Sequence, residues 1–316
     1  MEIQIAYFHG CEFLLIKERK STPLVFVYFH SMSMKKKQTL QHAFIFSLLL
    51  SMHIAFAQTA NAAAEPVPLG FSVIHEYPHD ITHFTEGLIW HDGKLFESTG
   101  LYGHSGLYEI DIANGHILRS RALDSRKFGE GLTLSKGRLV QLTWQEKTGL
   151  IWDLAFNPIG HFHYETQGWG LSSYDHDREL VMSDGSNVLR FLSADDFHVV
   201  RTITVHNGEH AINLINELET ANGFIYANIW TTDFIIVIDP TDGRERAWLD
   251  LSALKSRLAK PASWNEQEDV LNGIAYNPDS GTFFVTGKRW PSLFEIRIDP
   301  VPPETAQPGS GVATPQ

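Results

Sequence analysis

The chain has 316 residues, of which 43% are apolar and 20% are charged, and its formal net charge is −12. This composition is typical of a folded globular protein, with one large domain or two small ones, and excludes a disordered or fibrous chain. The acidic charge is spread along the sequence, which argues against binding of a phosphate backbone, so nucleic acid is not an expected partner.

The first 62 residues are predicted to lie outside the folded domain. Residues 1–31 resemble an upstream extension, because the basic cluster Lys35 to Lys37 and the apolar stretch 43–57 that follows it have the order of a secretory signal peptide. The apolar stretch is shorter than the roughly 20 residues that span a bilayer. We therefore predict a signal peptide over 32–57 or 32–62 and a periplasmic or secreted protein, with no membrane attachment in its mature form.

The only cysteine, Cys11, lies in the predicted extension. The mature protein is then expected to contain neither a thiol nor a disulfide. This excludes cysteine catalysis and thiolate metal sites from consideration.

Residues 71–77 form the first predicted strand of the mature protein, and five copies of one short motif follow it. The copies begin with a polar or bulky residue, continue with a small or acidic one and end in apolar residues, with a period of about 45 residues. Their first residues are Glu86, Glu130, Trp169, Asn216 and Asn272.

Each motif opens a run of short predicted strands separated by turn residues such as Asp92-Gly93. Four strands per repeat are the pattern of a propeller blade. We predict an all-β, five-bladed β-propeller over residues 63–301. The fifth repeat lacks its outer strand, and we expect residues 71–77 to complete it and close the ring. A β-sandwich is the alternative, but it does not explain a motif that recurs five times.

Two stretches depart from the repeat. Residues 252–270 carry leucines at helical spacing followed by Pro261, which predicts a short inserted helix before the fifth blade. Residues 302–316 are rich in Pro, Gly, Thr and Gln, which predicts a disordered tail.

The start of the first strand and the end of the second strand of a blade lie at the same mouth of a propeller channel. The five motif-opening residues would therefore form one ring, and a second ring would hold the residues at the ends of the second strands: Thr99, Trp144, Asp184, Trp230 and Lys288. Such different residues at equivalent positions suggest a recognition pocket, although mixed polar mouths and packing tryptophans also occur in propellers without one. We expect Asp184 to cap a turn rather than to act in catalysis.

Ten short runs, in order, resemble the plant and bacterial glutaminyl-peptide cyclotransferase family and together cover residues 70 to about 300. They are FTEGL at 84–88, ESTGLYG at 97–103, FGEG at 128–131, QLTW at 141–144, GWGL at 168–171, SDGS at 183–186, NELE at 216–219, ANIW at 227–230, LNGIA at 271–275 and TGK at 286–288. The resemblance implies a five-bladed propeller that converts the N-terminal glutamine of peptides or proteins to pyroglutamate with release of ammonia.

The resemblance also implies roles for individual residues. It places the catalytic carboxylate at Glu130, an amide contact at Asn216 and a cationic group at Lys288, with aromatic pocket walls at Trp144, Trp169 and Trp230. Many members of the family carry glutamine where this chain has Glu86, so the role of Glu86 is open. Glu86 could bind the substrate's α-ammonium, raise the pKa of Glu130 through like-charge repulsion, or be a solvated or ion-paired acid.

A reaction scheme follows from these residue types. Glu130 would take a proton from the attacking α-amine and give it to the leaving ammonia, while the tryptophans hold the glutamine side chain folded. Lys288 or Asn216 would stabilise the negative charge on the carbonyl oxygen. No cofactor is expected, and we expect a monomer because one chain supplies the whole channel.

Two other functions remain open from the sequence. A metal-dependent propeller hydrolase, such as a lactonase, could use oxygen ligands from Glu86, Glu130, Asn216 and Asn272 to hold Ca²⁺. A propeller that only binds a peptide or sugar could use the same tryptophans. The histidine pairs His161 with His163 and His206 with His210 lie away from the rings, and we predict no metal site at them.

Overall fold

The structure, a computed structural model, describes residues 2–8, 11–17, 65–208 and 210–303. The chain divides into two compact units, residues 1–62 and residues 63–316. In the first unit, strands β1 (Glu2–Phe8) and β2 (Cys11–Lys17) pair as an antiparallel hairpin. The predicted signal peptide lies outside the described residues, as does all but the beginning of the predicted tail.

The second unit begins with two strands, β3 (Val67–Pro68) and β4 (Phe71–Pro78), and continues with four-stranded antiparallel meanders. The first three blades are formed in chain order. Blade one comprises β5 (Thr85–His91), β6 (Lys94–Thr99), β7 (Gly106–Asp111) and β8 (His116–Ala122). Blade two comprises β9 (Gly129–Ser135), β10 (Arg138–Thr143), β11 (Thr148–Trp152) and β12 (Pro158–His163). Blade three comprises β13 (Leu171–Tyr174), β14 (Glu179–Met182), β15 (Val188–Ser193) and β16 (Val199–Thr204).

The last two blades each recruit a strand from the start of the unit. Blade four comprises β17 (Ile215–Ala221), β18 (Phe224–Ile229), β19 (Phe234–Ile238) and β20 (Glu245–Asp250), with β3 added in parallel to β20. Blade five comprises β21 (Leu271–Asn277), β22 (Thr282–Gly287) and β23 (Ser292–Ile298), and β4 pairs antiparallel with β23 as its fourth strand. The fold is therefore an all-β, five-bladed propeller, as the repeat predicted. The short strand β3 was not foreseen.

Burial decreases from the first strand of a blade to the last. The first five residues of β5 are buried, whereas every residue of β8 is exposed. In blades one, two and four the hairpin that joins the first two strands has a two-residue loop, and Asp92-Gly93, Lys136-Gly137 and Asn222-Gly223 all have positive φ. Loops of this conformation match the right-handed twist of the flanking strands, so the turn residues fix the pairing of the two strands that form the channel mouth.

The hydrophobic core lies between the blades. In the described part of the chain, apolar residues form five clusters, and each joins two neighbouring blades. One of them packs Leu88 and Leu95 of blade one against Phe284 and Leu293 of blade five. Each blade therefore depends on its two neighbours to bury its apolar faces.

Two motif glycines allow the first strands to approach each other. A Cβ atom on Gly87 would lie 2.4 Å from the backbone nitrogen of Leu132, and one on Gly131 would lie 2.5 Å from the backbone nitrogen of Leu171. Both distances are far shorter than any tolerated contact. The glycines that follow Glu86 and Glu130 are thus required by the close approach of neighbouring first strands. This requirement explains why glycine recurs in the motif.

The inserted helix is shorter than its predicted range. Only α1 (Ser252–Lys255) is helical, and the remainder of residues 252–270 is irregular. Leu251 at the N-cap provides no side-chain hydrogen bond, and the carboxylate of Asp250 instead accepts one of 2.9 Å from the backbone nitrogen of Ser252. Leu254 and Leu258 are buried and anchor the segment. Within residues 65–208 and 210–303, no helix has the length and apolar character needed to cross a membrane.

Candidate active site

The two predicted rings lie at the strand positions that were expected. Glu86, Glu130, Asn216 and Asn272 occupy the first or second residue of β5, β9, β17 and β21, and Trp169 precedes β13. The second ring follows the ends of the second strands: Trp144, Trp230 and Lys288 each come one residue after β10, β18 and β22, Thr99 ends β6, and Asp184 lies two residues after β14.

Glu86 and Lys288 form a buried ion pair across the junction of blades one and five. The Lys288 Nζ atom lies 2.7 Å from Glu86 Oε1 and 2.8 Å from Glu86 Oε2. The Asn272 amide donates a further hydrogen bond of 3.2 Å to Glu86 and one of 2.8 Å to the carbonyl oxygen of Thr85. Since both oxygens of Glu86 accept from Lys288, a cation already occupies the position that a metal on this carboxylate would take.

Glu130 is buried next to this pair, close enough for the charges of Glu86 and Lys288 to act on its carboxyl group. Burial raises the pKa of Glu130 well above its ordinary value, the negative charge of Glu86 raises it further, and the charge of Lys288 opposes the rise. Burial likewise raises the pKa of Glu86, against the opposing effect of Lys288. We call Glu86, Glu130 and Lys288 the charged cluster; it holds two carboxyl groups and one ammonium group away from water.

Three tryptophans from blades two, three and four form an aromatic wall, namely Trp144, Trp169 and Trp230. The rings of Trp169 and Trp230 meet edge to face with centroids 5.6 Å apart. Gln167 joins Trp169 to Trp144, because its Oε1 atom accepts a hydrogen bond from each indole nitrogen, at 3.0 Å and 2.7 Å. The wall is therefore a connected structure rather than three independent side chains.

Asn216 is buried at the opening of β17. Its carbonyl oxygen accepts a hydrogen bond of 2.7 Å from the Ser183 hydroxyl, which fixes the backbone. No hydrogen bond links the Asn216 side-chain amide to any other residue in the described ranges. The amide is thus available to a ligand, although it does not contact the charged cluster directly.

Several residues of the mouth were not identified from the sequence. Phe84 lies beneath Lys288, whose Nζ atom is 4.6 Å from the ring centroid, and Phe128 packs against Trp144 with ring centroids 5.5 Å apart. Both phenylalanines stand two residues before a motif glutamate, so their recurrence was a usable signal. Gln167 gave no such signal, because its role depends on the position of two indoles.

The fourth repeat places a carboxyl group where the others have glycine. Glu217 is buried and accepts hydrogen bonds from the backbone nitrogens of Ile274 at 2.8 Å and Leu88 at 3.3 Å. Burial raises its pKa well above the ordinary value, and it raises the pKa of Glu219 to about 8. These groups bind backbone across the channel and are structural. Asp184, as expected, stabilises its turn by accepting hydrogen bonds from Ser186 and also pairs with Arg190.

The histidines that drew attention in the sequence lie apart from the mouth. His161 and His163 are exposed neighbours on the outer strand β12. A different group, His79 and His83 with Glu97, forms a buried cluster that sequence spacing did not reveal.

Comparison with known proteins identifies the family. A family model described as glutamine cyclotransferase matches residues 46–298. The glutaminyl-peptide cyclotransferase of Arabidopsis thaliana is 39% identical over 234 residues, which cover 72% of this chain and 70% of the relative. The crystal structure of Myxococcus xanthus glutaminyl cyclase matches with a TM-score of 0.69 and 40% identity, covering 74% of this chain and 99% of that chain.

Proposed function

This chain belongs to the glutamine cyclotransferase family, and we propose that it converts the N-terminal glutamine of peptides and proteins to pyroglutamate, releasing ammonia. The observation that carries the proposal is the buried charged cluster beside the aromatic wall at one channel mouth. The reaction needs a group that carries a proton, a pocket that holds the glutamine side chain bent and a hydrogen-bond donor to the oxyanion. The residues of this mouth include a candidate for each.

Glu130 is the proposed proton carrier. The substrate's neutral α-amine attacks its own γ-carbonyl carbon, a new C–N bond forms, and the bond to the amide NH₂ breaks. Glu130 accepts the proton that the amine loses and delivers it to the departing nitrogen, which leaves as ammonia. A pKa raised by burial and by Glu86 makes the Glu130 carboxylate a stronger base than an ordinary glutamate.

The aromatic wall is proposed to fold the substrate. A free glutamine side chain samples many rotamers, and only a bent form brings the amine to the carbonyl. Indole faces from three blades restrict that freedom and exclude water, so the ring-closing conformation is populated before reaction. Gln167 supports this role by fixing the orientation of Trp144 and Trp169 relative to each other.

Lys288 and Asn216 are proposed to have different electrostatic roles, Lys288 toward Glu86 and Asn216 toward the oxyanion. The Lys288 ammonium is held by both oxygens of Glu86, so its main role is to keep Glu86 charged and the cluster ordered. The side-chain amide of Asn216 has no partner in the described chain and is the better donor to the oxyanion. Loss of one such donor typically costs about 3 kcal/mol of transition-state stabilisation.

The ion pair argues against the hydrolase alternative. A Ca²⁺ ion needs several unengaged oxygen ligands, whereas both Glu86 oxygens are bonded to Lys288 and Asn272 donates to one of them. A lactonase-like centre at this position would have to displace the lysine.

The proposal is tested by product analysis. Purified protein is incubated with a peptide that begins with glutamine, and ammonia and pyroglutamyl peptide are measured together. We expect equimolar products, and none from the same peptide with an acetylated N-terminus, since it lacks a nucleophilic amine. Binding of the peptide without ammonia release would contradict the proposal and favour a binding propeller.

We also propose that the mature domain acts outside the cytoplasm as a monomer. The support is the predicted signal peptide and the origin of all five blades in one chain. Size-exclusion chromatography with light scattering tests the oligomeric state.

A further inference from the structure

A buried cluster of two histidines and a glutamate lies where the chain enters blade one. His79 follows β4, His83 precedes β5, and Glu97 lies in β6. Their side chains are 3%, 4% and 0% exposed. His79 Nε2 is 3.2 Å from Glu97 Oε1, and His83 Nδ1 is 2.7 Å from Glu97 Oε2. The reaction proposed above uses none of these groups.

The hydrogen bonds of His79 indicate a positive charge in this cluster. His79 Nδ1 lies 2.7 Å from the carbonyl oxygen of Trp290, which can only accept, so Nδ1 carries a proton. In a neutral imidazole the other nitrogen, Nε2, then presents a lone pair, and this lone pair faces a carboxylate oxygen. The two lone pairs repel unless a positive charge, either an extra proton or a metal ion, lies between them.

The surroundings resemble those of a metal-binding histidine. Metal-ligating histidines almost always donate their second ring N–H to a carbonyl or carboxylate, as His79 does to Trp290. Glu97 Oε1 in turn accepts a hydrogen bond of 2.7 Å from the Thr85 hydroxyl, which orients the carboxylate. Candidate ligand atoms of His79, His83 and Glu97 all lie within 4.8 Å of one another, so small side-chain rotations give Zn–ligand bonds of about 2.0–2.2 Å.

A small cavity adjoins the two histidines. Its volume is about 10 Å³, and His79, Asp80 and His83 line it together with apolar side chains of blades one and five. This is close to the space that a single water requires. A water in this cavity could be the fourth ligand of a bound ion. The cavity itself could be the route by which the ion enters.

We propose that His79, His83 and Glu97 bind one structural divalent metal ion of the Zn²⁺ class. Two imidazole nitrogens and a carboxylate oxygen are ligands that Zn²⁺ favours. The site would tie the end of β4 to blade one and, through Trp290, to the loop that follows Lys288. Its role is to hold the junction of blades one and five, because His79 follows β4 of blade five whereas His83 precedes β5 and Glu97 lies in β6 of blade one.

The test is a metal titration of purified protein that has first been treated with a chelator. Zn²⁺ is added in competition with a chromophoric chelator, and melting temperature is followed in parallel. We expect one bound equivalent and a rise in melting temperature. Failure of the wild-type protein to bind Zn²⁺ would overturn the proposal, whatever the variants do, and would assign the positive charge to a protonated His79.

Variants locate the site. His83→Ala and Glu97→Gln should weaken Zn²⁺ binding by about 100-fold or more, whereas His161→Ala, in an exposed histidine pair of β12, should leave it unchanged. Equal binding by His83→Ala and wild type, or loss of binding in His161→Ala, would place the metal elsewhere and contradict the proposal. The readouts are stoichiometry and melting temperature, so the result is independent of the proposed cyclisation.

Discussion

At the scale of single residues, the site depends on the charges of the three side chains in the charged cluster. The charge of Glu86 acts on Glu130, and Glu86 is held by Lys288. The raised pKa of Glu130 has burial as its largest cause and the charge of Glu86 as its second. Glutamate at position 86 therefore does more than fill a pocket, since its charge tunes the proposed catalyst.

Glu86→Gln should move the acidic limb of the kcat/KM profile to lower pH. The substitution removes a negative charge that raises the pKa of Glu130 and frees Lys288, whose positive charge lowers it; both changes act in the same direction. Because kcat/KM reports the free enzyme, the limb follows the ionisation of Glu130. The control is Glu109→Gln. Glu109 is a buried carboxylate in β7 that pairs with Lys94. An unmoved limb, or one at higher pH, would contradict this role of Glu86.

At the scale of elements, the first strand of each blade carries both the site and the tightest packing. A Cβ on Gly131 would meet three backbone atoms of the next blade between 2.5 and 2.7 Å. Backbone atoms in neighbouring strands cannot shift independently, so this clash would be relieved only by separating two blades.

Gly131→Ala should therefore destabilise the domain by about 1–3 kcal/mol or more, as overpacking does in tight cores. Gly160→Ala in β12 of the same blade is the matched control, because the nearest atom to its Cβ is a flexible methyl of Ile151 at 3.3 Å. Its effect should stay within about 0.5 kcal/mol. Denaturant unfolding of both variants measures the difference, and equal stabilities would show that blade spacing is not set by this glycine.

At the scale of the whole molecule, ring closure creates an asymmetric mouth. Blades five, one and two supply the charged cluster, and blades two, three and four supply the aromatic wall. Blade two contributes to both through Glu130 and Trp144. A substrate glutamine between the halves would contact the proton carrier on one side and the indoles on the other.

Much of this arrangement could be predicted from the sequence, because periodicity is a local signal. The glutamates and tryptophans of the two rings were found at equivalent positions, and the family predicted from ten short motifs is confirmed. Contacts that depend on closing the ring could not be predicted from the sequence. The Glu86–Lys288 pair joins residues 202 apart in sequence, and no spacing rule specifies that approach.

Other features were predicted only in part. The leucine spacing predicted a short helix within residues 252–270, and the structure contains one of four residues, Ser252–Lys255. The cluster of His79, His83 and Glu97 was missed because its members come from a strand end, a loop and a strand. His79 and His83 have the same four-residue spacing as His206 and His210, but that spacing does not show that Glu97 lies beside them.

The most direct test of the account is the turnover of Glu130→Gln on a peptide that begins with glutamine, with Glu109→Gln as the control. The substitution keeps the size of the side chain but removes its ability to carry a proton. We expect turnover to fall by about 10²–10⁴-fold, with peptide binding and melting temperature close to wild type and with the control fully active. Near-normal turnover by Glu130→Gln would contradict the claim that this carboxylate transfers the proton.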